Sequence, residues 1–414
     1  MRITLMTLGS RGDVQPFLAL AHGLRQAGHT IRIATHAAFE PSVRSFGFGF
    51  APMPGDPREM LKSDLGRDLV DSRNPVRGFH RIMASGILDS ILRDAQSALV
   101  GQEALIFSTL SFVGFHVAEK LGIPAIAAHL QPMGPTKEFP YLFLPQKPSW
   151  GILNRATHFL GDGLAQVFFA PMAKKWRRDL GLPIRGEPIP LNIPSLFGYS
   201  PLVVPKPIDW EEGRHVTGYW FLDSPNWQPP RELAAFLEKG PPPVCVGFGS
   251  MGSKDPVATT RTVIAALRKT GQRGLLIGGW GGFEEKELPE DFLLLDEAPH
   301  DWLFPRVAAV VCHGGAGTTA ACLRAGVPAI LVPNGMDQPF WGHRLAELGV
   351  APPFVSRKKM NPDRLSIALQ AARDPGMIER SRALGERLRG ENGVGRAVEA
   401  FEKMVGVPVS IEKK

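Results

Sequence analysis

The chain has 414 residues, of which 44% are hydrophobic and 21% charged, and its formal net charge is +7. This length favours two α/β domains over one core, and the composition excludes a disordered or fibrous protein. The 47 basic residues are interspersed with 40 acidic ones, which argues against nucleic-acid binding. Since no segment approaches the roughly 20 apolar residues of a membrane span, we expect a cytoplasmic protein, with peripheral membrane contact left open.

The first elements predict a doubly wound α/β domain. An apolar run at 2–8 stops at Gly9, residues 16–26 have helical spacing, and residues 30–35 form a second strand-like run. The order strand, loop, helix, strand is typical of Rossmann-like sheets. We therefore assign 1–230 to an N-terminal Rossmann-like domain, whose Pro- and Trp-rich end is predicted to be a linker.

The same order of elements begins again after three prolines at 241–243. A strand at 244–248, a helix at 257–270 and a further strand at 274–277 predict a second Rossmann-like domain over 231–378. The remaining segment, 379–414, has helical character. We expect it to pack back on the N-terminal domain.

A glycine-rich loop in the second domain has the features of an anion site. The run His-Gly-Gly-Ala-Gly-Thr at 313–318 follows an apolar segment at 307–311 and precedes a helical segment at 320–324. Glycines allow a phosphate to approach the unpaired N–H groups at a helix start. The sequence predicts a diphosphate site here, with a tight turn and a capping threonine as the alternative.

Polar residues follow two further predicted strands. Asp337 and Gln338 come after the apolar run 328–333, and ligands of open α/β sheets bind beyond the carboxyl ends of strands. An acid–amide pair suits sugar hydroxyls, although a helix cap before Pro339 is also compatible. In the first domain, Asp13 lies in the equivalent loop, either as a functional carboxylate or as a helix cap.

The sequence contains no Asp-x-Asp, the spacing with which metal-dependent sugar transferases hold Mg²⁺ or Mn²⁺. The charge of a diphosphate would instead be balanced by the helix amino terminus, His313, Arg11 and hydroxyl groups. We therefore expect neither a metal ion nor a cofactor. The three cysteines lack CxxC spacing and are predicted to be buried thiols.

Four motifs occur in order along the chain: GSRGDVQP at 9–16, HGGAGTTAACLRAGVP at 313–328, DQPFWGHRLAELGV at 337–350 and ENGVGRAVEAFEK at 391–403. They resemble sterol and lipid glucosyltransferases of glycosyltransferase family 1. The resemblance implies the GT-B fold, two Rossmann-like doubly wound domains facing a central cleft. It also implies inverting, metal-independent transfer of a hexose, with glucose favoured, from a UDP-sugar co-substrate to a hydroxyl of a lipophilic acceptor such as a sterol, triterpenoid, polyphenol or hydroxylated lipid.

The resemblance also assigns individual roles. Asp13 becomes the general base, at a position where plant relatives have a histidine three residues before a proline. One departure is Asn334-Gly335-Met336, which stands where the family often has Phe-Phe-Gly and affects the fit of sugar and acceptor. The donor-binding residues are Ser10, Arg11, Gly12, Ser250, Met251, Trp280, Ala298, His300, His313, Gly315, Ala316, Gly317, Thr318, Asp337 and Gln338.

Apolar segments of the first domain, punctuated by glycine and proline, predict the wall of an acceptor pocket, with core packing as the alternative. The acceptor-binding residues predicted from them are Phe112, Met133, Phe139, Tyr141 and Phe143.

Other functions remain open at this stage. A dTDP-sugar-dependent natural-product or rhamnolipid-type glycosyltransferase would share the same motifs, and a non-catalytic lipid-binding protein would share the apolar segments. A nicotinamide dehydrogenase is disfavoured, because neither glycine loop has GxGxxG spacing. The sequence makes no prediction of the oligomeric state.

Overall fold

The computed structural model describes residues 1–62, 85–146, 151–185, 192–224, 226–249, 255–279, 283 and 288–406. The chain divides into two compact units. Unit 1 consists of Met1–Leu222 with Asn392–Lys414, and unit 2 is Asp223–Glu391. Each contains a parallel sheet with helices packed on it, so the predicted α/β fold class is confirmed.

Unit 1 contains a seven-stranded parallel sheet of order β3-β2-β1-β4-β5-β6-β7. In the register, Ile3 of β1 pairs with Ile31 on one side and with Ala104 on the other. The chain therefore winds in opposite directions from β1, and the loop after β1 lies at the switch point where ligands of such sheets bind. The strands are β1 Arg2–Met6, β2 Thr30–His36, β3 Gly49–Met53, β4 Ala104–Ser108, β5 Ala125–His129, β6 Ser195–Phe197 and β7 Arg214–Val216.

Helices cover the sheet of unit 1 through apolar faces. Phe17 and Leu20 of the first helix are fully buried against Ile3 and Leu5 of the central strand. The described helices of this unit before residue 222 are α1 Arg11–Gln26, α2 Glu40–Ser45, α3 Pro57–Lys62, α4 Ile87–Leu99, α5 Gly114–Leu121 and α6 Asn154–Asp179. Within the described ranges, no helix is both long enough and apolar enough to span a bilayer.

The Pro- and Trp-rich segment differs from the linker that the sequence predicts. Its first part supplies the edge strand β7, and Trp210 and Trp220 are 7% and 3% exposed. The ring of Phe17 packs edge-on against Trp220 at 6.0 Å. The aromatic side chains of this segment therefore belong to the core of unit 1, and the division between the units lies after Leu222.

Unit 2 contains a five-stranded parallel sheet of order β10-β9-β8-β11-β12. Its strands are β8 Val244–Gly247, β9 Gly274–Ile277, β10 Phe292–Leu295, β11 Ala309–Cys312 and β12 Ala329–Leu331. Its helices are α7 Arg231–Glu238, α8 Pro256–Lys269, α9 His300–Leu303, α10 Ala316–Ala325, α11 Gln338–Glu347, α12 Pro362–Ala371 and α13 Pro375–Arg389. Cys245, Cys312 and Cys322 are buried free thiols, as predicted.

The carboxyl-terminal segment forms two helices rather than one. Helix α13 belongs to unit 2, whereas α14, Gly393–Val405, packs on α1 of unit 1. Asn392 separates them, since its side chain accepts a hydrogen bond from the N–H of Gly395 at 2.9 Å and caps the new helix. The buried Phe401 places the apolar face of α14 in the core of unit 1.

Candidate functional site

The loop between β1 and α1 fixes the carboxylate of Asp13. Asp13 Oδ2 accepts hydrogen bonds from the Ser10 N–H at 2.8 Å and the Ser10 hydroxyl at 3.0 Å. Gly9 has φ +125°, and a Cβ there would lie 2.4 Å from Asp13 Oδ2. Asp13 thus forms the capping box of α1, the alternative that the sequence left open. The same contacts hold the carboxylate at the switch point of the sheet.

A histidine that the sequence analysis missed supports this loop. The Gly9 N–H donates to His36 Nε2 at 3.0 Å, and His36 Nδ1 donates to the carbonyl oxygen of Pro54 at 3.0 Å. Burial lowers the pKa of His36, so the ring is neutral and its tautomer is set by these two partners. The signal in the sequence was a histidine at the end of the strand next to β1.

Residues predicted to bind the acceptor fall into two environments. Phe112 is only 9% exposed and packs against Phe169 at 5.0 Å and Trp176 at 6.1 Å, so it serves the core rather than a pocket wall. Met133 is partly exposed. The remaining predicted acceptor-binding residues belong to an aromatic group that contains Phe139, Tyr141, Phe143 and His158, with ring centroids 5.3 to 6.0 Å apart.

A carboxylate lies beside this aromatic group and was not predicted. Asp162 of α6 is partly buried, and burial raises its pKa to about 6, against the opposing effect of Arg214. The adjacent Gly161 faces the Tyr141 ring, where a Cβ would meet Tyr141 Cε1 at 2.6 Å. Burial raises the pKa of Tyr141 to about 12. An apolar surface with one poorly solvated carboxylate results.

In unit 2, the glycine loop joins β11 to α10 as the sequence predicts. Gly314 has φ +89°, a left-handed conformation that favours glycine, and Gly315 caps the helix. Ala316, Gly317 and Thr318 form the first turn, where N–H groups have no partner within the helix. These amides point along the helix axis beyond the carboxyl end of β11, which is the geometry of an anion site.

The His313 imidazole lies between two glycine loops. A Cβ on Gly315 would be 2.5 Å from His313 Nε2, and one on Gly249 would be 2.8 Å from His313 Cε1. Burial, with a contribution from Arg357, lowers the pKa of His313 to about 4. His313 is therefore neutral at pH 7, so any help that it gives in balancing a diphosphate comes through hydrogen bonding and not through a positive charge.

Arg357 supplies a partly buried positive charge that the sequence analysis missed. Its guanidinium lies 4.0 Å above the Phe248 ring, and Nη2 donates to Thr259 Oγ1 at 3.4 Å. Burial lowers the pKa of Arg357 to about 10, which leaves it charged at neutral pH. Nη1 is buried and has no hydrogen-bond partner among the described residues. The basic run at 357–359 was the available signal.

The acid–amide pair after β12 is engaged locally. Asp337 Oδ2 accepts a hydrogen bond from Trp341 Nε1 at 2.9 Å, and Gln338 Oε1 accepts one from the Asn334 N–H at 2.8 Å. Gln338 is only 4% exposed. Asp337 precedes α11 without capping it through its side chain. Both side chains are thus held in fixed orientations beyond the end of β12.

The other predicted donor-binding residues of unit 2 that the structure describes lie beyond the carboxyl end of a strand of its sheet. Ala298 and His300 follow β10, and the His300 ring stacks on Phe304 with centroids 4.3 Å apart. Ser10, Arg11 and Gly12 lie at the amino terminus of α1 in unit 1. Ser250, Met251 and Trp280 lie outside the described residues.

Two segments of the chain match models of known protein families. Residues 3–140 match the glycosyltransferase family 28 N-terminal domain, and residues 282–392 match the erythromycin biosynthesis protein CIII-like C-terminal domain. The chain is 39% identical to the sterol 3-beta-glucosyltransferases of Aspergillus clavatus, over 425 residues, and Emericella nidulans, over 422 residues. These alignments cover 97% of this chain but 29% and 30% of the relatives, so the chain spans less than a third of their length.

Solved structures with the same fold cover nearly the whole chain. The glycotransferase of kitacinnamycin has a TM-score of 0.74 at 19% identity, with 98% of this chain and 99% of that chain aligned. The calicheamicin glycosyltransferase has a TM-score of 0.69 at 21% identity and covers 99% of both chains. These structures confirm the predicted fold. The resemblance to sterol glucosyltransferases is confirmed by the family and sequence matches above.

Proposed function

We propose that this chain is a glycosyltransferase that transfers glucose from UDP-glucose to a hydroxyl of a sterol or similar lipophilic acceptor. The matches of residues 3–140 to a glycosyltransferase family 28 N-terminal domain and of residues 282–392 to an erythromycin biosynthesis protein CIII-like C-terminal domain support the assignment as a glycosyltransferase. The choice of sugar and acceptor is supported by 39% identity to sterol 3-beta-glucosyltransferases. We place this activity in the cytoplasm.

The observation that carries the proposal is the anion site of unit 2. The first turn of α10 presents backbone amides, His313 lies between two glycine loops, and the partly buried Arg357 holds a positive charge near His313. Amides and a guanidinium stabilise negative charge best where water is scarce. We assign the donor diphosphate to this site, with the sugar hydroxyls toward Asp337 and Gln338.

Asp13 is the proposed general base. It takes the proton of the acceptor hydroxyl while the acceptor oxygen bonds to the anomeric carbon, and the bond from that carbon to the diphosphate oxygen breaks with its electron pair leaving on UDP. One displacement on an α-linked donor gives a β-glycoside. Since an aspartate is a weak base, proton transfer follows substantial cleavage in an oxocarbenium-like transition state.

No metal is needed in this scheme. The charge that develops on UDP is met by the α10 amino terminus and by Arg357. In unit 1, the aromatic group around Tyr141 offers apolar contacts to the lipophilic substrate. The Asp162 carboxylate can accept a hydrogen bond from a hydroxyl of that substrate.

The experiment is a transfer assay with a panel of donors and acceptors. UDP-glucose, other UDP-sugars and dTDP-sugars are each incubated with cholesterol, a triterpenoid, a polyphenol and a free disaccharide, and products are identified by mass spectrometry. The proposal expects glucosylated sterol from UDP-glucose and none from the disaccharide. Transfer only from a dTDP-sugar would replace the donor assignment, and donor binding without transfer to any acceptor would overturn the enzyme assignment.

A further inference from the structure

Helix α6 carries an exposed apolar stripe that the proposed chemistry does not use. The helix is preceded by a short 3-10 turn, Gly151–Leu153, and is one of the longest in the protein at 26 residues. Large apolar side chains on the turn and on the first half of the helix are between 51% and 74% exposed. They are Ile152, Leu153, Phe159, Leu160, Leu164 and Val167.

The second half of α6 anchors the helix to unit 1. Trp176 is fully buried, and its Nε1 donates to Asp89 Oδ1 at 2.7 Å. Arg177 forms two hydrogen bonds with the Glu119 carboxylate, at 2.6 and 2.9 Å. These contacts anchor the second half of α6 to the rest of unit 1. The exposure of its first half therefore does not reflect a loosely attached helix.

Basic residues follow the apolar stripe on the same face of α6. Leu160, Val167, Lys174 and Arg178 are separated by seven, seven and four residues, so with 3.6 residues per turn they share one face of the helix. Both cations are exposed and have no ion pair among the described residues. Between 151 and 178 the only acidic residue is the partly buried Asp162.

We propose that this face of α6 docks on a bilayer that contains anionic phospholipid. The exposed leucine and valine side chains enter the boundary between headgroups and acyl chains, while Lys174 and Arg178 contact phosphate groups beside them. The positive charges of Lys174 and Arg178 favour an anionic bilayer over a neutral apolar partner, because a neutral surface would not interact favourably with unpaired cations. The inference needs neither sugar donor nor acceptor and stands apart from the proposed function.

The test is co-sedimentation of the full chain with vesicles that contain neither sterol nor sugar donor. Vesicles of phosphatidylcholine with 30% phosphatidylglycerol are expected to bind it, and those of phosphatidylcholine alone to bind at least tenfold more weakly, since each cation contributes about fivefold. Leu160→Ser/Val167→Ser and Lys174→Glu/Arg178→Glu should each weaken binding to the mixed vesicles by tenfold or more.

Matched controls change equally exposed residues elsewhere. Ile208 and Ile367 are 93% and 66% exposed, so Ile208→Ser/Ile367→Ser is the apolar control, and Lys239→Glu/Arg387→Glu reverses the same amount of charge in unit 2. Both controls should bind like the wild type, and circular dichroism verifies that every variant is folded. Equal binding by all variants, equal binding to both vesicle types, or a dimer in solution that buries the stripe and binds no vesicles would each overturn the proposal.

Discussion

Gly315→Ala is expected to displace the His313 side chain without disturbing the backbone. Gly315 has φ −65°, which any residue adopts, so the substitution introduces no backbone strain. The new Cβ would lie 2.5 Å from His313 Nε2, whereas ordinary contacts between such atoms begin near 3.4 Å. The ring must therefore move by about 1 Å, and its position on the far side is bounded by Gly249.

That movement should cost one hydrogen bond to the donor diphosphate. A hydrogen bond to a charged group contributes about 1.5–3 kcal/mol, which corresponds to a roughly 10- to 150-fold rise in the Kd for UDP. Isothermal titration calorimetry with UDP measures it. Gly213→Ala is the control, because a Cβ there meets nothing within 4 Å.

A double-mutant cycle separates this explanation from general damage to the loop. In a His313→Ala background the clash is gone, so adding Gly315→Ala should change UDP binding by less than twofold. If Gly315→Ala binds UDP like the wild type, or if its effect is the same with and without the His313 ring, then His313 is not the residue through which this glycine acts.

Three other substitutions test separate steps. Asp13→Asn keeps an oxygen that can accept the Ser10 hydrogen bonds, so folding and UDP binding should stay within a few-fold while kcat falls by at least about 10²-fold; retained turnover would remove the base assignment. Arg357→Met should raise the Kd for UDP by about 10-fold or more without lowering stability, and Lys359→Met should not; equal effects would assign Arg357 to the fold alone. Burial, with Arg177, holds the pKa of His116 at about 4, so as pH falls from 6.5 to 4 the unfolded chain takes up this proton first and stability is lost. His116→Phe should therefore make the free energy of unfolding in urea fall less steeply over this window than in the wild type, and an unchanged slope would contradict this.

The spacing of apolar residues in the sequence predicted those strands and helices whose buried residues recur at regular intervals. The strand at 274–277 agrees with β9, and the helix expected at 257–270 agrees with α8 within a residue. The glycine loop at 313–318 was located because glycine, strand and helix signals coincide there. These features depend on local sequence, which is why one chain without a structure was sufficient to find them.

Features that depend on long-range packing were not predicted. Residues 201–222 have the composition of a linker, yet the burial of Trp210 and Trp220 depends on partners far away in the chain. Similarly, His36 and Arg357 gain their positions from strand order, which periodicity does not reveal. The break between α13 and α14 required knowing that Asn392 caps a helix belonging to the other unit.

Our main proposal is that this chain transfers glucose from UDP-glucose with inversion and without a metal ion. It is tested most directly by the anomeric proton coupling of the product made from UDP-glucose and a sterol, measured by NMR with and without EDTA. We expect a β-glucoside, formed at the same rate in both. An α-glucoside, or a rate restored only by Mg²⁺ or Mn²⁺, would contradict it.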